Sequence, residues 1–465
     1  MQTGLTWIDK NTPDLIALAQ AIWGYAELGF YETRSANDQA AFLKKEGFSV
    51  RLGVGGMKTG LVAEFGQGKP VIGYLGEFDA LVGLSQKVSP HQDPLQAGAP
   101  GHGCGHNLLG VASLAAAVAL KREIEAGRAR GTVRYYGCPA EENGSGKGFM
   151  AKYGLYDDLD IVITWHPGSL NTPRCGSNLA VNGVKFAFHG RTAHAGGAPH
   201  MGISALDAVE LMNVGVNFLR EHIIQDARIH YVITHGGGQP NVVPDFAEVW
   251  YYVRAPRRLD LEPIYQRVIK CAEGAALMTG AKLEVKFQDG LYEYLPNSVV
   301  TNVLEQSLLK AGGPHFTEAE WAFAREIEKS FAPGQKESLM RANHVPEEYW
   351  GLTLHEGIAP GFDKGELGHG SSDVGDVSWI APTGQISTAT FVVGSAGHSW
   401  QNSAASGMGI GHKGMIVAAK AMALAGYELM IKPELVQQAK EAFVKGTGGK
   451  PYVSPLPADM MEPPA

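Results

Sequence analysis

The run Gly101-His102-Gly103-Cys104-Gly105-His106-Asn107 restricts this chain more than any other stretch. Three soft or borderline metal ligands lie within five positions, separated by glycines. A packed core has no use for that pattern. Glycines free the backbone to turn, so a thiolate and imidazoles can converge on one point, as a divalent cation requires. The plain alternative is a glycine-rich turn whose Cys and His are neighbours by chance. The rest of the chain has to decide between them.

The chain has 465 residues, more than one ordinary core accommodates, so two or more domains are expected. Gly is abundant at 60 residues, roughly twice the usual share of about 7%, which implies many tight turns and backbone-lined sites. Charge is −8 with no basic run, which argues against nucleic acid as a partner. No apolar stretch of membrane-spanning length stands out, and the start, Met1-Gln2-Thr3-Gly4, has no signal-peptide pattern. The expectation is a cytoplasmic protein without membrane association. Four cysteines in so long a chain do not suggest a disulfide framework, and in the cytoplasm a Cys beside His residues points to metal or catalysis.

Thr12-Pro13 reads as an N-cap and first helical residue, followed by Leu15, Ile16, Ala19, Ile22 and Trp23 at helical spacing. A second helix is expected over 35–45, stopping at Gly47. Strand-like runs follow at 49–54, 60–65 and 71–75, the last nearly all apolar as in a buried central strand. It ends in Gly76-Glu77-Phe78-Asp79. A Pro- and Gly-rich loop over 85–100 leads into the glycine run, and an Ala- and Leu-rich helix spans 108–125. Strand 132–137 ends in Pro139-Ala140-Glu141-Glu142, and strand 160–164 ends in Trp165-His166-Pro167. Acidic or His residues thus recur after apolar strands. That is the α/β pattern, with a site along the carboxyl edge of a mainly parallel, helix-flanked sheet.

Near Asn182 the texture changes to a β-α-β-β-α-β order, the composition of a compact α+β, ferredoxin-like unit. The expected division is a catalytic domain over 1–181, an inserted lid or dimerisation domain over 182–290, the rest of the catalytic domain over 291–445, and an extended tail over 446–465. Residues 312–356, with Trp321 and Trp350, resist assignment. A strand is expected at 388–393, leading to Gly397-His398-Ser399-Trp400, and a helix at 413–430.

Asp79, Cys104, His106, Glu142, His166 and His398 form the candidate set. Each alone is an ordinary structural residue. Together they offer soft, borderline and hard donors suited to two divalent ions, with the Cys104 thiolate able to bridge them. Amide hydrolysis also needs a proton acceptor for water and a donor for the leaving nitrogen. Adjacent carboxylates can divide that work, Glu142 ligating and Glu141 remaining free as base.

These residues resemble the metal-dependent aminoacylase and carboxypeptidase superfamily, in its branch of N-acyl-amino-acid amidohydrolases with a Cys-Gly-His motif. Tyr25-Ala26-Glu27-Leu28-Gly29, Gly76-Glu77-Phe78-Asp79-Ala80-Leu81, Gly103-Cys104-Gly105-His106-Asn107, Pro139-Ala140-Glu141-Glu142, His166-Pro167 and His398-Ser399 carry the likeness across nearly the whole chain. The resemblance implies Cys104, His106, Glu142, His166 and His398 as ligands of two ions, zinc or manganese. It also implies Glu141 and Asp79 as catalytic residues. The run from Gly190 to His200 is similar to the family's dimerisation motif, which implies that His194 serves a partner's active site and that His200 lies near substrate. Asn241, in Pro240-Asn241-Val242-Val243-Pro244, and Arg254 are similar to its substrate-carboxylate clamp, the Arg fork suiting a carboxylate. Asn107, Glu77, Ser371-Ser372-Asp373 and Trp400 depart from the common pattern and suggest an altered substrate preference.

The implied activity is hydrolysis of an N-acyl amino acid with a free carboxylate, p-aminobenzoyl-glutamate being the first expectation. Dipeptides such as β-alanyl conjugates, aromatic acyl-amino-acid conjugates, and a non-catalytic role beside a catalytic partner are the alternatives. The oligomer is expected to be a homodimer or a heterodimer with a related subunit.

Overall fold

The structure, a computed structural model, describes residues 1–463. It opens with helices α1 (Gln2–Tyr25) and α2 (Thr33–Lys45) and strands β1 (Ser49–Leu52), β2 (Leu61–Gly66) and β3 (Val71–Glu77). Next come α3 (His106–Glu125), β4 (Thr132–Cys138), α4 (Gly146–Lys152), β5 (Ile161–Gly168) and β6 (Thr172–Arg174). The inserted unit is β7 (Ala180–His189), α5 (Ala205–Leu219), β8 (Arg228–His235), β9 (Phe246–Ala255), α6 (Arg258–Thr279) and β10 (Lys282–Leu291). The chain returns through α7 (Ser298–Ala311), α8 (Glu318–Glu328), α9 (Gln335–Ala342), α10 (Val374–Ser378), β11 (Thr383–Ala389), α11 (Trp400–Ser406), α12 (Gly409–Ile431) and α13 (Pro433–Thr447).

The first sheet has the order β1-β2-β4-β3-β5-β11-β6. Its four central strands β4, β3, β5 and β11 are parallel, and antiparallel strands close both edges. Alternation along β3 divides the core. Ile72 and Tyr74 face the layer built from α1, α3, α7 and α12, whereas Val71 and Leu75 face Phe149, Met150 and Val377. Every position of β3 is buried, so it needs apolar or backbone-paired neighbours on both sides. The second sheet has the order β10-β7-β9-β8, antiparallel throughout, with α5 and α6 on one face. Strand β9 shows its one-sided burial plainly: Ala247, Val249, Tyr251, Val253 and Ala255 are buried and their neighbours half-buried.

Four expectations need correction. Helix α1 begins at Gln2, and Pro13 lies inside it. Ile8 is buried in line with Leu15, Leu18 and Ile22, so packing on one face carries the helix across the proline's missing N–H. The strand expected at 388–393 is β11, five residues earlier at its start: its polar side chains hide a central strand paired in register with β5, Ile386 opposite Trp165. His166 and Pro167 lie within β5 rather than beyond it. Among the described residues one helix, α12, is long and apolar enough to cross a membrane. It is largely buried between α3 and α7 as a core helix.

Residues 312–356, unassigned from sequence, form α8 and α9. A capping box between Thr317 and Glu320 starts α8, which packs Ala324 and Ile327 against Leu354, Val392 and Ile410. The tail is helical to Thr447 and then irregular, and it docks through buried Leu456 and the Tyr452 hydroxyl, which donates to Asp376 at 2.7 Å. The expected tail's last residues, 464–465, lie outside the described chain.

Candidate active site

The carboxyl ends of the parallel strands converge, and the candidate residues come with them. β3 delivers Glu77 and, two residues on, Asp79; β4 leads to Glu141 and Glu142; β5 carries His166; the loop after β11 carries His398. The glycine run crosses beneath. Gly105 adopts φ +78°, and a side chain there would press on Phe391 and Pro167. Glycine takes this left-handed turn without strain, and the reversal places His106 on the first turn of α3.

The potential ligand atoms fall into three overlapping groups, each within 4.8 Å: Cys104, His106 and His166; Cys104, Glu142 and His398; Glu77, His106 and Glu141. Cys104 belongs to two groups and His106 to two. Cys104 Sγ lies 3.4 Å from His166 Nε2, and His398 Nε2 lies 3.3 Å from Glu142 Oε2. Buried His106 and half-buried His166 are both oriented from behind. His106 Nδ1 is 2.8 Å from Asp79 Oδ1, and His166 Nδ1 is 2.8 Å from the carbonyl of Pro167. With Nδ1 occupied, Nε2 of each ring points into the cluster. His102, by contrast, turns away to the carbonyl of Ile22 at 3.0 Å, so only two of the three ligands in the glycine run converge.

The paired glutamates sit on a turn held at both ends. Ala140 has φ +56°, costly for a residue with a side chain, and its N–H donates to Glu32 Oε1 at 2.8 Å. The N–H of Glu142 donates to Asp79 Oδ2 at 2.9 Å. Both oxygens of Asp79 are therefore engaged in positioning His106 and Glu142.

Burial, then Glu77 and Glu142, push the Glu141 carboxyl well above the usual range. Burial opposes a charged His106, yet Cys104, Asp79 and Glu77 outweigh it and hold its pKa well up. His166 is driven down to about 4, mainly by burial. Glu77 Oε2, His106 Nε2 and Glu142 Oε1 are buried without a hydrogen-bond partner among the described residues. Convergent, orphaned donors of both soft and hard character fit divalent metal ions. A cleft of about 240 Å³ opens beside Cys104, His166 and His398, walled by Met340, Phe362 and Phe391.

The chain is 42% identical over 464 residues to one of the subunits of p-aminobenzoyl-glutamate hydrolase from Escherichia coli, covering 96% of this chain and 95% of that protein. Residues 180–277 match the peptidase dimerisation domain of the M20 type. The chain belongs to the M20 family. Members of this family hydrolyse amide bonds, and this chain is such a metallopeptidase-like amidohydrolase. The mouse Xaa-Arg dipeptidase is 30% identical, across 66% of this chain and 70% of the relative. Two solved structures share the fold. An aminobenzoyl-glutamate utilization protein from Klebsiella pneumoniae has a TM-score of 0.63 at 18% identity, covering 92% of this chain and 98% of that one. A dinuclear metal-binding M20 peptidase from Bacillus subtilis has a TM-score of 0.58 at 17% identity, covering 91% and 99%.

In this M20 chain the other four predicted site residues lie elsewhere, on the inserted unit. None of them belongs to the ligand groups or lines the cleft. His194, His200 and Asn241 are exposed or nearly so. His194 bridges Val242, and Ala195 N–H donates to the Asn241 carbonyl at 2.9 Å, so these two loops form one cluster. The His194 Nδ1 accepts from Gly197 N–H at 2.9 Å, leaving Nε2 outward. Arg254 is half-buried on β9, where its Nη1 donates to Ser371 Oγ at 2.7 Å. Among the described residues it has no carboxylate partner.

Four residues of this M20 site escaped prediction as site residues: Glu32, Glu77, Lys147 and Asp373. Lys147 Nζ lies 2.6 Å from Glu77 Oε1 and 2.5 Å from Asp373 Oδ1, all three side chains being buried. For Glu77 a signal existed, since it shares the end of β3 with Asp79. Asp373 stood in a segment that departs from the family pattern, but nothing pointed to its pairing with Lys147, because 226 positions separate them.

Proposed function

We propose that this M20 enzyme cleaves the amide bond of p-aminobenzoyl-glutamate, releasing p-aminobenzoate and glutamate. The convergence of Cys104, His106, Glu142, His166 and His398 beside Glu141 supports the catalytic reading. The 42% identity to the p-aminobenzoyl-glutamate hydrolase chain of Escherichia coli supports the substrate. These five residues would hold two divalent ions, zinc or manganese: the thiolate favours zinc and the carboxylates accept manganese. When bound, such ions act as Lewis acids and lower the pKa of water.

Glu141 lies outside both groups that contain Cys104, sharing one only with Glu77 and His106, and it serves as general base. It takes a proton from water and returns it to the departing nitrogen. Asp79 keeps His106 in one tautomer and holds the turn of Glu142. The guanidinium of Arg254, with Asn241, binds the free carboxylate of the substrate bidentately, and His200 lies beside it. These groups and His194 stand outside the cleft of their own chain, which supports completion of each site by a partner through the dimerisation domain. The partner is a second copy or a related chain, in the cytoplasm.

A second reading, dipeptide hydrolysis, is favoured by the likeness to the Xaa-Arg dipeptidase. Purified chain, assayed alone by mass spectrometry with p-aminobenzoyl-glutamate and with dipeptides, separates the two. Fastest release of p-aminobenzoate, abolished by a strong chelator and restored by zinc or manganese, supports the first reading. Preference for a dipeptide would replace it. No turnover by fully metallated chain would favour a non-catalytic role beside a catalytic partner.

A further inference from the structure

We propose that Glu77 is a sixth protein ligand of the metal centre, resting on the reading of the site as a two-ion centre. Glu77 is the last residue of β3, and its side chain is 2% exposed. One oxygen, Oε1, is taken by the Lys147 ammonium at 2.6 Å. The other, Oε2, is buried and has no hydrogen-bond partner among the described residues. It lies 3.2 Å from His106 Nε2, which also has none. Glu142 Oε1, the third orphan, lies 3.8 Å from the same nitrogen.

The 3.2 Å separation is that of two ligands on one ion. Donors each ~2.0–2.2 Å from a cation, at tetrahedral or octahedral angles, stand roughly 3.0–3.5 Å apart. A purely orienting role for Glu77 is redundant, because Asp79 already holds the ring at Nδ1. Once Nε2 carries an ion it has no proton to offer, so Oε2 has nothing else to bind there. Both atoms therefore face one cation.

The surrounding charges explain how this carboxylate is tolerated. An isolated buried carboxylate would be strongly disfavoured. Lys147, itself 0% exposed, bridges Glu77 and Asp373, and Asp373 Oδ2 also accepts the Lys147 backbone N–H at 2.8 Å. Three charges thus sum to −1, with one oxygen left free and aimed at His106. The two ion positions become unequal. Cys104 and His166 make a soft position, whereas Glu77 and Glu142, 3.2 and 3.8 Å from His106 Nε2, make with it a harder one that accepts manganese readily.

The test uses full-length protein stripped of metal and reloaded with cobalt(II) or manganese(II). Chelator competition gives the stoichiometry and affinity of each ion, and cobalt absorption reports coordination number. Wild type should bind two ions; a single ion or none would fail the two-ion reading itself. With two ions in wild type, Glu77→Gln should weaken one ion at least ~10–100-fold, the scale already seen when outer-shell partners of ligands are lost, and leave the other unchanged. The cobalt bands should intensify as one coordination number falls. Unchanged affinities and spectrum in Glu77→Gln would overturn the proposal. Should that variant misfold, diffraction from metal-loaded wild type decides: Glu77 Oε2 at about 2.0–2.3 Å from an ion confirms the ligand, and a separation beyond about 3 Å refutes it.

Discussion

Asp79 ties His106 to the catalytic turn: one carboxylate oxygen lies 2.8 Å from His106 Nδ1, and the other accepts the backbone N–H of Glu142 at 2.9 Å. One side chain thereby sets the direction of a ring and the height of a glutamate. Asp79→Asn keeps the shape but offers only one acceptor oxygen. Metal affinity should fall about 10–100-fold, the usual effect of losing a ligand's outer partner. Isothermal titration of the stripped variant with zinc measures it, and an unchanged affinity would show that Asp79 does not orient His106.

Glu141 and Glu142 should separate by function. Glu141→Gln should keep its bound metal and lose kcat by roughly 10²–10⁴-fold, the scale of general-base catalysis. Glu142→Ala should lose metal as well. Elemental analysis beside steady-state kinetics distinguishes them, and the reverse pattern would exchange the two roles.

His194 should act in the neighbouring protomer, since it stands outside its own chain's cleft. Glu141→Gln and His194→Ala are each expected to be inactive. After exchange of protomers about half the dimers are mixed, and one site in each has both intact residues, so about a quarter of all sites should recover, as two-fold geometry requires. Mass-tagged mixed dimers without recovered activity would place His194 in its own chain's site or in none.

Asp376 should make stability depend on pH. Burial pushes its carboxyl up to about 7, although the Tyr452 hydroxyl from the docked tail partly opposes the rise. The folded state therefore holds a proton that the unfolded chain releases near pH 3.9, about the ordinary aspartate value. Its stabilising contribution is complete below about pH 4 and is lost as pH rises through about 7. Relative to Asp376→Asn, wild type should lose stability between those limits, read as urea midpoints at about pH 5 and about pH 8. A constant difference would mean that Asp376 is not proton-linked to folding.

Much of the site is legible in the chain because α/β folds collect strand ends along one edge. Asp79 and Glu142 could be gathered by noting which residues follow apolar strands, and His166 by its place at the end of the apolar run of β5, without knowing any distance. Tertiary packing overrode the local pattern at two places. Pro13 looked like a helix start, but the buried stripe from Ile8 to Ile22 continues through it. Polar β11 did not look like a central strand, because its place is set by pairing with β5.

The sequence by itself determined the inventory of donors, the glycines that let Cys104 and His106 turn inward, and the α+β insertion between two parts of one sheet-based domain. Tertiary structure alone decided what each donor does. It sent His102 away to a helix carbonyl and hung Ala140 from Glu32 across 108 positions. It also set Lys147 between Glu77 and Asp373. Local spacing encodes what lies within a turn or a strand, because backbone geometry is periodic there. The balance of buried charge is a sum over groups far apart in the chain, and only packing brings those groups together.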